Sequence, residues 1–273
     1  MESLTVSIPS LDPESAADAV ANFERRFGGV ARVYGAPALA RFQQAHVCVV
    51  GVGGVGSWAV EALARSAIGS ITLIDLDHVA ESNINRQIQA LTPTLGMAKI
   101  SALQQRILQI NPACRVTEIE EFLGAANLAE LIGANRFDYV IDAIDDTRAK
   151  TALIAHCRAH GVRVVTIGGA GGQIDPGRIE VRDLARTEQE PLLAKVRKLL
   201  RTQHGFPRSV KEKFGIDAVF SMEPLRLPDA AQEQGTGVTG LNCAGFGSSV
   251  VVTASFGLRA AGLVLARLAE DVV

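Results

Sequence analysis

The sequence predicts an α/β domain: a mostly parallel, twisted sheet with helices on both faces, extended by antiparallel strands and closed by a C-terminal apolar helix. Three observations carry this reading. Short apolar runs alternate with helix-length amphipathic segments between residues 46 and 168. The first apolar run ends in Gly51-Val-Gly53-Gly54-Val-Gly56, which opens a helix. The next apolar run ends in Asp75, about 20 residues beyond the glycines, so the glycine loop sits inside a strand–helix–strand unit.

Residues 1–20, with Ser, Pro and Asp-Pro punctuation, read as a flexible leader. No basic stretch followed by an apolar core marks a signal peptide there. Residues 21–45 read as two helical pieces, divided by Gly28-Gly29 and by Gly35-Ala-Pro37. Strands are expected at 46–51, 70–75, 115–119, 138–142 and 163–168, and helices at 54–66, 95–109, 126–132 and 146–158. After Gly168 the pattern changes. A glycine-rich loop leads into a strand near Ile179, 188–201 is an amphipathic helix, and 202–245 is loop-rich around a strand at 217–221. The apolar stretch 246–268 is long enough to suggest a membrane span, but Arg259 and small or hydroxylated residues interrupt it, which favours a buried helix. Residues 21–273 thus form one domain, with a nucleotide half at about 21–170 and a substrate half at about 171–273.

Composition narrows the function. A formal net charge of -2 argues against a protein that coats nucleic acid, while leaving room for a local basic patch. Cys48, Cys114, Cys157 and Cys243 stand far apart, without the paired spacing of a structural zinc site or a disulfide framework. A reducing cytoplasm is the expected compartment.

The glycine loop has a physical job at each position. Gly51 permits the tight turn, Gly53 and Gly54 let the backbone approach a ligand, and Gly56 lets the helix pack on the sheet. Free N–H groups at the helix start attract an anion, and Asp75 is placed to accept ribose hydroxyls. Ser82-Asn83-Ile-Asn85-Arg86-Gln87 and Gly96-Met-Ala-Lys99 follow the second strand, where open α/β sheets bind ligands. Arg86 suits a phosphate by bidentate hydrogen bonding, and Lys99 suits it as a point charge. Asp142-Ala-Ile-Asp145-Asp146 brings carboxylates to the same edge, where one could hold Mg²⁺ on a ligand's phosphates, Asp145 first among them. Asp142 has an alternative as an inward strand residue, and Asp146 as a plain helix cap.

Together GVGGVGS at 51–57, LIDLD at 73–77, SNINRQ at 82–87, GMAK at 96–99 and DAIDD at 142–146 resemble the ThiF/MoeB/HesA family of adenylate-forming, ubiquitin-activating-like enzymes. The segments 25–35 and 166–176 and the Cys243-Ala-Gly-Phe-Gly run resemble the branch that acts on threonylcarbamoyladenosine in tRNA. The resemblance implies ATP, with Mg²⁺, as the reagent that activates a carboxylate as an acyl-adenylate. It also implies a homodimer in which an N-terminal arginine reaches the partner's ATP, with Arg26 the best match and Arg25 the second. On this reading Asp75 holds ribose, Arg86 and Lys99 bind phosphates, and Asp145 serves the metal or the adenylate. Cys243 is the candidate for a sulfur-relay partner, against the plainer reading of a small buried cysteine. For tRNA, residues 195–213 carry seven Lys or Arg against one Glu, making Arg197, Lys198, Arg201, Arg208, Lys211 and Lys213 candidate contacts.

Two other functions stay open at this level. One is adenylation of the C-terminal glycine of a ubiquitin-like sulfur carrier, against which the missing paired zinc cysteines count. The other is an NAD-binding oxidoreductase or regulator, which the glycine loop alone permits.

Overall fold

The computed structural model describes residues 16–133, 136–209, 211–226 and 246–272. Two helices, α1 (Ala16–Tyr34) and α2 (Ala36–Gln44), precede the alternating region. There follow β1 (His46–Val50), α3 (Gly56–Arg65), β2 (Ser70–Ile74), α4 (Lys99–Ile110), β3 (Arg115–Ile119), α5 (Leu128–Leu131) and β4 (Tyr139–Asp142). Then come α6 (Thr147–Ala159), β5 (Val164–Ile167), β6 (Ile179–Asp183), α7 (Pro191–Gln203), β7 (Asp217–Ser221) and α8 (Val250–Glu270).

The strands form one sheet in the order β3-β2-β1-β4-β5-β7-β6. All neighbours run parallel except β6 and β7, which form the antiparallel extension. Val47 pairs with Ile71 on one side and Tyr139 on the other, so β1 is central and apolar on both faces. Helices α2, α3, α4 and α8 cover one face, and α5, α6 and α7 the other.

Several boundaries differ from the sequence reading. Helix α1 starts at Ala16, inside the expected leader, and continues through Gly28-Gly29. Each interior glycine costs about 1 kcal/mol, which burial of Phe27 and packing on α2 offset. The break comes at Gly35, whose φ of 90° suits a glycine, with Pro37 in the first turn of α2. Helix α4 starts at Lys99 rather than 95, because Gly96 adopts φ 83° and Ala98 forms a bridge with His78.

Among the described residues, α8 alone is long and apolar enough to cross a membrane. Its side chains at Val252, Phe256, Ala260, Val264 and Leu268 form a fully buried stripe at four-residue spacing. Gly257 brings α8 onto α3, since a Cβ there would lie 2.3 Å from the Val55 carbonyl oxygen. That is the packing of a core helix closing the sheet.

Candidate active site

The order of strands reverses between β1 and β4, and a cleft of about 570 Å³ opens at their carboxyl ends. Gly51, Gly53 and Gly54 line it. Gly51 turns with φ 81°, and a Cβ there would meet the Ala143 carbonyl oxygen at 2.9 Å. Gly56 does not line the cleft; a Cβ on it would sit 1.9 Å from the Gly51 carbonyl oxygen, so it serves packing rather than ligand contact. Among the described residues, no acceptor takes the N–H of Gly53, Gly54 or Val55. These donors, with the positive end of α3, form an anion-binding floor.

Asp75 receives hydrogen bonds from Val52 N at 2.7 Å and Asp77 N at 2.9 Å. Burial raises its carboxyl above the ordinary value, and the nearby Lys99 ammonium only partly opposes that. Lys99 opens α4 in the cleft wall, nearly buried, with Nζ 2.6 Å from Asp77 Oδ2. Arg86 lies across Gly54, where a Cβ would meet its side-chain carbons at 3.2 Å. Its Nη1 donates to Ser82 O and Asn85 Oδ1, and Trp58 Nε1 donates to its carbonyl at 2.9 Å. The turn that presents Arg86 is therefore held before any ligand arrives.

The two asparagines separate. Asn83 lines the cleft, and its Oδ1 accepts from Ala80 N. Asn85 does not line it; its Nδ2 donates to Ser248 O at 3.2 Å, tying the arginine turn to the residues before α8.

On the opposite lip, Asp145 and Asp146 line the cleft and are exposed. Asp146 caps α6 by accepting from Ala149 N at 2.8 Å. Asp142 is wholly buried, an inward strand residue. No protein donor contacts the Asp145 carboxylate among the described residues. One free carboxylate beside an anion floor fits Mg²⁺, which binds through one or two carboxylates plus phosphate oxygens. No group of three or more His, Cys, Asp and Glu forms a metal cage among the described residues.

Several cleft residues escaped sequence reasoning. Phe122 follows β3, lines the cleft and is 69% exposed, with Leu76 nearby in the lining. Gln89 donates to Val52 O and to Gln87 Oε1, bracing the glycine loop from beneath. Glu190 caps α7 and accepts from Gly169 N at 3.0 Å, holding the glycine-rich lip after β5.

Arg26 lies outside its own chain's cleft. It donates to the carbonyls of Gln109 and Ile110 at 3.1 and 3.0 Å, capping the end of α4 opposite Lys99, ~18 Å along the helix. Within the basic segment, Arg197 is spent on a hydrogen bond to Thr187 Oγ1, and Arg201 donates to Pro207 O while stacking on Phe214. Both side chains are half-buried and engaged within the fold, although Arg201 Nη2 has no hydrogen-bond partner. Lys198, Arg208, Lys211 and Lys213 are exposed, as is Lys195. Cys243 and the run 234–240 lie outside the described residues.

A family model described as the ThiF family matches residues 25–211, more than half of the chain. The protein belongs to the ThiF family. Within that family it is 49% identical over 248 residues to the tRNA threonylcarbamoyladenosine dehydratase of Haemophilus influenzae, covering 90% of this chain and 94% of that one. It is also similar to the Escherichia coli tRNA N6-threonylcarbamoyladenosine dehydratase solved in complex with ATP. That match has TM-score 0.83 and 48% identity, and covers 92% of this chain and 96% of the other. The same Escherichia coli protein solved with AMP matches equally, with TM-score 0.83, 48% identity and the same coverage of both chains. The chain's ThiF-family cleft combines an anion floor, two cations and a free carboxylate, which suits transfer of an adenylyl group to an acceptor oxygen.

Proposed function

We propose that this protein is an ATP-dependent tRNA threonylcarbamoyladenosine dehydratase. The observation that carries the reading is the convergence of Arg86, Lys99, Asp145 and the free Gly53–Val55 N–H groups on one cleft. Near full-length similarity to dehydratases, one of them solved with ATP and with AMP, supports it.

The chemistry starts from an inert carboxylate. Its charge repels nucleophiles, and oxide is a poor leaving group. The threonyl carboxylate of the modified nucleoside attacks the α-phosphorus of ATP, and the bond to pyrophosphate breaks. Arg86, Lys99 and the loop N–H groups neutralise charge on the phosphates, while Asp75 accepts the ribose hydroxyls. The carbamoyl group of the same nucleoside then attacks the activated carbonyl carbon, and AMP leaves as the ring closes. The nucleophile is tethered, so effective concentration replaces an enzyme nucleophile. The net change is loss of one water from the nucleoside.

Asp145 would hold Mg²⁺ together with the ATP phosphates; that ion supplies charge stabilisation on the transferring phosphoryl group. The exposed Lys195, Lys198, Arg208, Lys211 and Lys213 offer the tRNA backbone a sequence-independent contact. We read the active form as a homodimer in which Arg26 leaves the end of α4 to reach the partner's ATP, and we place the protein in the cytoplasm with its tRNA. Cys243 is the residue to examine for a sulfur-transfer partner.

The test is incubation with ATP, Mg²⁺ and threonylcarbamoylated tRNA, followed by mass spectrometry of the nucleosides. The expected product is lighter by one water, formed with AMP and pyrophosphate. An unchanged nucleoside with ATP intact would overturn the proposal. Pyrophosphate exchange dependent on a small carrier protein would support the sulfur-carrier alternative instead.

A further inference from the structure

Beneath the cleft lies a buried ion pair that phosphate and ribose binding leave unused. Lys150 and Asp142 have no exposed side-chain surface, and Nζ sits 2.9 Å from Asp142 Oδ2. Nζ also donates to the Asp142 carbonyl and to Thr166 Oγ1, both at 3.2 Å. Thr166 Oγ1 in turn donates to Asp142 Oδ2 at 2.7 Å. Three elements meet at this ammonium. Asp142 ends β4, Thr166 is its register partner on β5, and Lys150 stands one turn into α6.

A buried pair is a weak device for stability, because desolvation of both charges offsets their attraction and apolar side chains of similar volume often do as well. Its geometric effect is specific. Asp142 Oδ1 accepts from Ile144 N at 3.2 Å, and Ala143 N donates to Val50 O. The Ala143 carbonyl is pressed against Gly51. On the far side of Asp145, Lys150 N donates to the Asp146 carbonyl at 3.0 Å. The side-chain pair therefore ties the backbone before Asp145, through Ile144 N, whereas the bond after it is the ordinary main-chain bond of the first turn of α6; the Asp145 carboxylate itself stays free. Glu190, which holds Gly169 N on the neighbouring lip, also feels the Lys150 charge.

We infer that Lys150, through Asp142, is a positioning residue that sets the backbone presenting Asp145 to the reacting phosphate. The inference rests on the reading of Asp145 as a group serving the metal or the adenylate.

The experiment replaces the pair by apolar residues, Lys150→Met with Asp142→Leu, and measures melting temperature, ATP KM and kcat on threonylcarbamoylated tRNA. The double variant should melt within about 4 °C of the parent and keep its ATP KM. Its kcat should fall by about tenfold to a hundredfold, the effect of a misplaced group. A folded double variant with parental kcat overturns the inference. If that variant does not fold, Thr166→Val decides: lowered kcat at constant KM supports the role, and parental kcat overturns it. Asp145→Ala is measured alongside. Parental activity there removes the Asp145 reading and this inference with it; an inactive Asp145→Ala beside a fully active double variant overturns the positioning role alone.

Discussion

The Lys99 ammonium lies 2.6 Å from an Asp77 carboxylate oxygen, and the Lys99 N–H donates to the Asp77 carbonyl at 3.0 Å. One residue thus anchors both ends of the lysine that opens α4. The side chain is nearly buried while Asp77 is exposed, and both residues line the cleft. Lys99→Met should lower adenylation by about a hundredfold to a thousandfold, the cost of removing one transition-state donor. The fold should survive, because a pair with an exposed partner contributes little stability. Pyrophosphate exchange and a melting curve check this, and near-parental turnover would remove Lys99 from the phosphate site.

With Asp75 in its proposed place at the ribose, ATP binding should depend on pH. Burial holds its carboxyl above the ordinary value, and the ionised form is the stronger acceptor for two ribose hydroxyls. ATP affinity is therefore full above the raised value and falls as pH drops through it, earlier than an ordinary aspartate would dictate. Its effect on the free protein has the opposite sign. The folded state binds the Asp75 proton more tightly than the unfolded chain, so this group's contribution to stability is lost as pH rises from the ordinary value through the raised one. ATP KM measured between about pH 5 and pH 7.5 should climb toward the acid end. In Asp75→Asn it should be high and flat.

Gly53 and Gly56 should fail in different ways when substituted. Gly56→Ala would drive a methyl into the Gly51 carbonyl at 1.9 Å, so the loop or α3 must move. We expect a loss of about 3 kcal/mol or more, read by denaturant titration. Gly53 has only Gln87 Nε2 near its would-be Cβ, at 3.8 Å. Gly53→Ala should leave the denaturation midpoint almost unchanged while weakening ATP binding, because the methyl occupies space on the ligand side. Equal effects on stability would contradict the division of roles.

The basic segment divides by exposure. Lys195→Glu with Lys198→Glu should weaken tRNA binding and flatten its salt dependence by about 0.7 to 0.9 per lost phosphate contact. ATP KM should not change. Arg201→Ala should instead lower stability, since its guanidinium stacks 5.1 Å from the Phe214 ring centroid and bonds Pro207 O. Filter binding across a salt series, with a parallel melting curve, distinguishes them. An unchanged salt slope in the lysine variant would move the tRNA surface elsewhere.

The sequence revealed the strands well because apolar runs such as Val47–Val50 and Ile71–Ile74 are buried on both faces and bounded by turn residues. It also brought Asp75, Arg86 and Lys99 to one place, since each follows a strand end within one local unit and all three line the cleft. It misjudged Gly28-Gly29, where tertiary packing on α2 overrides a local breaking signal. It also could not sort a basic run into inward and outward arginines: that depends on Thr187 and Phe214, which come from other elements. Lys150 was invisible for the same reason. Its partners on β4 and β5 are joined to it only by the register of the sheet and the angle of α6.

The reversal of strand order at β1 and β4 has a consequence of its own. The loops after β1, β2 and β3 carry the glycine floor, Asp75, Arg86, Lys99 and Phe122, whereas those after β4, β5 and β7 carry Asp145, the Gly168–Gly172 lip and Arg226. Each wing belongs to a different half of the sheet, and the two touch at its base, where Ala143 packs on Gly51. An engineer who wished to change the acceptor would therefore rebuild the second wing around a retained Asp145 and leave the first wing untouched, as one changes a chuck without replacing the lathe.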